Sequence, residues 1–203
     1  GLFRGLKMTS WIKIIPPNEA TGKLAGAYEN TKTPQGRIDN VMKAHSLRPH
    51  TMEGHAALYK AVLHHPDNGL PKWFLEVIGT YTSILNNCDY SVAHHAKNTL
   101  ALLGDEEKGS QVLAALHEKS PEKAFSGKYL ALLQYTEKLT VDVARITEKD
   151  LELVRLAGAE DTEILEANQV CSYFNYVNRH LNGLGVSTEG DSIGRYSASS
   201  SNT

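Results

Sequence analysis

Glu76, Cys88, Ser91 and His95 have the types and spacing of a nucleophile with its proton relay. Eleven residues separate Glu76 from Cys88, and Ser91 and His95 follow at intervals of three and four. On a helix those intervals stack three side chains along one face over two turns. Asn86-Asn87 immediately precedes Cys88. If Asn87 caps a helix, Cys88 lies in its first turn, where unpaired backbone N–H groups and the positive end of the macrodipole favour a thiolate. An antiparallel return at the Asn86-Asn87 corner would bring Glu76 alongside, with its carboxylate orienting His95 and stabilising an imidazolium. The chemistry expected of such a set is thiol redox chemistry, with Ser91 standing where a dithiol site would carry a second cysteine.

Simpler roles compete with these. A single cysteine on an inward helix face is often a small core hydrophobe, and Glu76 could be one half of a structural ion pair. Cys171 lies on an apolar stripe with Phe174 and reads as packing, with pairing to Cys88 as a minor alternative. Of His94 and His95 only the second has the register to meet Glu76. The nine histidines suggest a metal, yet His64-His65 and His94-His95 are adjacent rather than three or four apart, so neither pair puts both rings on one face. His45, His55 and His180 read as packing or surface residues. Tyr90 reads first as packing and second as a hydrogen-bond donor into the site.

The elements that must position these residues are helical. Apolar residues recur at three and four along almost the whole chain, and alternating β-branched runs are missing. Trp11 to Ile15 is a short extended candidate ended by Pro16-Pro17. Asn18 is a plausible cap for a helix from Glu19 to about Tyr28, and Ile38 to Ser46 suggests a short second one. A helix opened by Pro49 carries Met52, Ala56, Tyr59 and Leu63; another, opened by Pro71, carries the apolar run from Trp73 to Leu85. Further patterns cover Cys88 to Leu103 with a stop at Gly104, Glu106 to His117, Pro121 to Leu139, Thr147 to Leu156 and Asp161 to Leu184. The expected fold is all-α, a single-domain helical bundle of about eight helices spanning residues 9–196. Residues 1–8 read as an N-terminal extension or remnant, and 197–203 as a mobile Ser-rich tail.

Composition narrows the function classes. The 203 residues are 41% hydrophobic and 22% charged, with a formal net charge of -2, and acids and bases interleave throughout. No basic stripe is present to engage phosphates, so nucleic acid is not an expected partner. Mean hydropathy is -0.34 and no apolar run approaches twenty residues, which argues against a membrane span. Two cysteines are too few for a disulfide scaffold, so a reducing cytoplasm is the expected location.

The spacing Glu76-x11-Cys88-x2-Ser91-x3-His95 resembles the Glu-x11-Cys-x-x-Cys-x3-His motif of the alkylhydroperoxidase D and carboxymuconolactone decarboxylase superfamily. Further strings are similar to its uncharacterised peroxidase-related branch. They are Trp11-Ile12 with Pro17-x-Glu19-Ala20-Thr21-Gly22, Asn40 to Leu47, the pair His94-His95, and Tyr173-Phe174-Asn175-x-Val177-Asn178-Arg179 with Gly183 to Val186. The resemblance covers roughly residues 9 to 196 and implies the alkylhydroperoxidase D-like bundle. It also implies an antioxidant-type peroxidase reducing small hydroperoxides with an external thiol, without a cofactor, as a trimer or hexamer. In that family the second cysteine attacks the peroxide, the first resolves it as a disulfide, and the glutamate and histidine relay protons. Glu76, Cys88 and His95 match; Ser91 takes the attacking position, and Tyr90 replaces a histidine common there. An alcohol cannot pass through the sulfenic acid to disulfide cycle. Three expectations follow: a lone peroxidatic thiol at Cys88 with Ser91 as hydrogen-bond donor, a decarboxylase-like or hydrolytic acid/base enzyme using Glu76 and His95 on a small carboxylated substrate, or a catalytically silent homo-oligomeric binding protein.

Overall fold

Pro71 lacks an N–H and holds φ near -65°, both suited to the entrance of a helix, and the chain behind it runs helical from Lys72 to Leu85. From Phe74 through Ile84 every residue of this helix is buried. It is the hub of a computed structural model that describes residues 9–196. Nine α-helices occur among the described residues, one more than the approximate count expected, and no strand. They are α1 (Gly22–Asn30), α2 (Asn40–Lys43), α3 (Pro49–Leu63), α4 (Lys72–Leu85), α5 (Asp89–Leu103), α6 (Glu106–His117), α7 (Gly127–Val141), α8 (Glu148–Leu156) and α9 (Asp161–Leu184). The all-α expectation holds. The extension at 1–8 and the tail at 197–203 lie outside the described residues.

Helices α5, α7 and α9 pack around α4 and bury its wide apolar face within one chain. A smaller core joins α1 and α3 through Leu24, Ala27, Tyr28, Met52 and Ala56. The termini of the domain are tied together: the Trp11 N–H donates to the Leu184 carbonyl and the Ser187 N–H to the Thr9 carbonyl.

Three local expectations need correction. The first helix begins at Gly22 rather than Glu19; Asn18 sits in a 3-10 turn, Pro17–Glu19, because two successive prolines set an extended entry that closes only one turn. The expected Pro121 helix is a 3-10 turn, Pro121–Lys123, followed by α7 from Gly127, whose φ of 59° breaks the run. The cap of α5 is Cys88 itself, not Asn87. Asn87 takes a left-handed φ of 49° to turn the α4–α5 corner, and the Cys88 carbonyl accepts the first helical hydrogen bond, from Val92 N–H.

Gly79 is where the Phe174 ring of α9 packs against the α4 backbone, and a Cβ there would overlap that ring. That ring in turn packs edge-on against His95 at 4.6 Å between centroids. Gly79→Ala is therefore expected to cost about 1–3 kcal/mol of overpacking, read as a lower urea midpoint at constant m-value; an unchanged midpoint would show that the helices part freely.

Candidate functional site

The α4–α5 corner folds back as expected and brings Glu76 against His95. Glu76 Oε2 lies 2.6 Å from His95 Nδ1. An ionised carboxylate only accepts, so Nδ1 carries a proton in this contact and Nε2 is the nitrogen left for another partner. Nε2 has no hydrogen-bond partner among the described residues, and it is not one of the sealed, unpartnered atoms. Asn98 Nδ2 reaches the other Glu76 oxygen at 3.4 Å, and Thr99 Oγ1 donates to the His95 carbonyl at 2.9 Å. Asn98 was missed by the sequence reading, although its place three residues after His95 on the same helix face was a usable signal.

His95 and Ser91 line a cavity of about 290 Å³. The same wall carries Tyr59, Tyr173, Asn98 and Arg195. Ser91 is 1% exposed and its hydroxyl has no hydrogen-bond partner among the described residues. Cys88 is placed differently. It is 0% exposed, belongs to the hydrophobic core, and does not line the cavity. Cys88 and Cys171 are both free thiols. Cys171 lies against Thr140 Oγ1 at 3.3 Å and Thr82 Oγ1 at 3.6 Å, and burial pushes its thiol up.

His94 faces away from Glu76. Its Nδ1 accepts from the Gly194 N–H at 3.1 Å, which leaves Nε2 protonated, 3.4 Å from Asp191 Oδ2. Tyr90 donates to that carboxylate at 2.5 Å and accepts from the Val41 N–H at 3.1 Å. Burial and the neighbouring Asp191 charge hold the Tyr90 hydroxyl well above its usual range. The Arg195 N–H donates to Asn98 Oδ1 at 2.7 Å, and the Arg195 guanidinium reaches Tyr59 Oη at 3.3 Å while lying over its ring. Residues 186–196 thus strap the cavity side of α5, which no local pattern in the sequence announced.

The second unforeseen feature is a chain of imidazoles behind Tyr173. His45 Nδ1 lies 2.8 Å from the Val41 carbonyl, His55 Nδ1 lies 3.1 Å from His45 Nε2, and Tyr173 Oη lies 2.7 Å from His55 Nε2. A carbonyl only accepts, so His45 Nδ1 donates to it, His55 Nδ1 donates to His45, and Tyr173 donates to His55. One carbonyl fixes every tautomer in the series, and both rings are neutral. His180 stacks on His45 at 4.4 Å with its Nε2 unpartnered. Burial lowers all three, His55 to about 3 and His180 to about 4. Among the described residues no group of three or more His, Cys, Asp or Glu is placed to hold a metal ion.

No protein-family model matches the sequence, and no curated protein matches it. Solved structures do match. A peroxidase-related protein from Ralstonia eutropha, described as an alkylhydroperoxidase core, has a TM-score of 0.78 at 20% identity, covering 92% of this chain and 95% of that one. The chain has the alkylhydroperoxidase D-like fold. A peroxidase-related protein from Silicibacter is similar at a TM-score of 0.78 and 21% identity, over 94% of this chain and 97% of that one. The debrominase Bmp8 shares the architecture at 0.69 and 13% identity, over 91% and 94%. No helix of the described residues is long and apolar enough to cross a membrane.

The imidazole chain makes stability depend on pH in a calculable direction. Its folded-state pKa values lie below the unfolded value near 6.5, so below pH 6.5 the unfolded chain binds protons that the folded chain refuses. Stability is complete above pH 6.5 and is expected to fall continuously toward pH 4, with His55 alone contributing up to ~1.4 kcal/mol per pH unit. Urea midpoints measured from pH 7 to pH 4 in wild type and His55→Gln check this, the variant having the shallower slope.

Proposed function

We propose that the chain is a small-molecule enzyme working by proton transfer through Glu76 and His95, with the cavity beside them as its substrate site. One observation carries this reading: the Glu76–His95 contact of 2.6 Å leaves the other imidazole nitrogen without a partner among the described residues, on a residue that lines a partly open cavity. An imidazole whose far nitrogen is held by a buried carboxylate is oriented to remove a proton and to return it. The cavity sits at the small end of the ~300–1,000 Å³ typical of ligand sites. The Arg195 guanidinium on its wall has no carboxylate partner among the described residues and suits a small carboxylated substrate.

A second reading is a lone-thiol peroxidase reducing small hydroperoxides at Cys88, supported by the seat of that cysteine at the head of α5 and by the peroxidase-related description of two proteins of the same fold. It requires the sulfur to emerge from the core, since Ser91 and not Cys88 lines the cavity. Two assays separate the readings. Solvent deuterium exchange into pyruvate and related keto acids, followed by proton NMR, is expected for wild type, with a loss of about 10²–10⁴-fold in Glu76→Gln and none in Cys88→Ala. Consumption of tert-butyl hydroperoxide with dithiothreitol that disappears in Cys88→Ala, with no exchange detected, would replace the first reading by the second.

We also infer that the chain forms homo-oligomers through the end of α7 and the outer face of α8. Leu156 is 83% exposed, Leu153 64%, and Val141 and Val143 61% each, a concentration of apolar side chains that water disfavours. The apolar face of α4, by contrast, is already covered within the chain. Light scattering coupled to size exclusion is expected to give an oligomer for wild type and a smaller species for the double variant Leu153→Glu, Leu156→Glu.

A further inference from the structure

We infer that Ser91 is the nucleophile of a Ser–His–Glu triad and that the cavity hydrolyses small acyl esters, a role that rests on the Glu76–His95 pair acting as a proton relay. Ser91 is singled out by what its neighbours do. Among the described residues, Ser10, Ser46, Thr80, Thr82, Ser83, Thr99, Thr136 and Thr140 are also buried, and the hydroxyl of every one of them is hydrogen-bonded. Most donate to the carbonyl four residues back in their own helix. The Ser91 hydroxyl is buried, lines the cavity and makes no such bond. An unsatisfied buried hydroxyl costs about 1–3 kcal/mol, so packing alone gives no reason for a serine rather than an alanine there.

The relay completes the set. Ser91 and His95 are four residues apart on α5 and so share one face of it, one turn apart. No hydrogen bond joins their side chains among the described residues, and the triad requires Ser91 Oγ to come within reach of His95 Nε2. His95 Nδ1 is fixed by Glu76 Oε2, so the lone pair of Nε2 is the base. Arg195, anchored by Tyr59 Oη at 3.3 Å, supplies positive charge on the same wall for the oxygen that becomes negative.

The steps balance without a redox partner. Ser91 Oγ bonds to the ester carbonyl carbon as its proton passes to His95 Nε2. The tetrahedral species collapses, the carbon–alkoxy bond breaks, and the alcohol leaves with that proton. Water then adds to the acyl-serine while giving a proton to His95, which returns it to Ser91 Oγ as the acid departs. The sum is ester plus water to acid plus alcohol.

p-Nitrophenyl acetate is the probe. Wild type is expected to release a burst of p-nitrophenolate and to carry an acetyl group on Ser91, located by peptide mass spectrometry. Ser91→Ala should lose adduct and burst while unfolding at an unchanged or higher urea midpoint, and His95→Ala should slow acylation by about 10²–10⁴-fold. Acetylation confined to lysines, tyrosines or Cys88, or a burst that survives in Ser91→Ala, overturns the assignment. Wild type that exchanges keto-acid protons in a Glu76-dependent way but is not acylated removes the serine's role and leaves the relay; exchange indifferent to Glu76→Gln removes the relay itself.

Discussion

A carboxylate buried between two helices holds the site together. Glu76 is 1% exposed, and an ionised group so placed is tolerated only when its charge is met. His95 meets it from α5 and Asn98 from one turn further along the same helix. Both contacts require the chain to double back within the few residues from Leu85 to Asp89, which explains the left-handed Asn87 and the capping position of Cys88. Moving that corner by one residue would rotate α5 by about 100° and present Ala96 to the carboxylate in place of His95. The register of the bundle and the orientation of the imidazole are therefore one constraint.

Asn98 extends the constraint to the end of the domain. It donates to Glu76 and accepts from the Arg195 N–H, while His94, one position before His95, accepts from the Gly194 N–H. Adjacent histidines on α5 point to different partners because successive helical positions are about 100° apart. His95 pairs with Glu76, and His94 binds the strap. The strap is pinned again by Asp191, which accepts from Tyr90 and from the Asn40 N–H. Arg195 reaches the cavity only because these contacts carry the chain there.

Legibility followed the range of each interaction. The Glu76–His95 pairing could be read because both partners sit on consecutive helices joined by a short corner, so spacing determines geometry. The same holds for α6 and α9, whose limits, Glu106–His117 and Asp161–Leu184, coincide with the periodic pattern. The strap could not be read, since Gly194 and Arg195 find partners about a hundred residues away and lie next to a stretch, 197–203, with the composition of a loose tail. His45, His55 and His180 looked like unrelated packing residues for the same reason: Tyr173, which ends their chain, is 118 positions from His55. Helix caps failed on a finer scale: the left-handed turn at Asn87 makes Cys88 the cap, and Cys88 makes no side-chain cap bond.

Residues 88 and 91 illustrate how a helix distributes chemistry between its faces. They are three positions apart and so share a side of α5, yet Cys88 lies at the cap, where the chain leaves α4 and is enclosed by the core, while Ser91 has advanced one turn to the cavity wall. The buried end offers a sulfur atom no small molecule can reach without displacing apolar neighbours. The wall offers a hydroxyl without a partner among the described residues, one turn before a histidine whose Nε2 is likewise unpartnered there. If Glu76 and His95 act as the proposed relay, they would serve either nucleophile, and access rather than proton transfer would decide between Cys88 and Ser91.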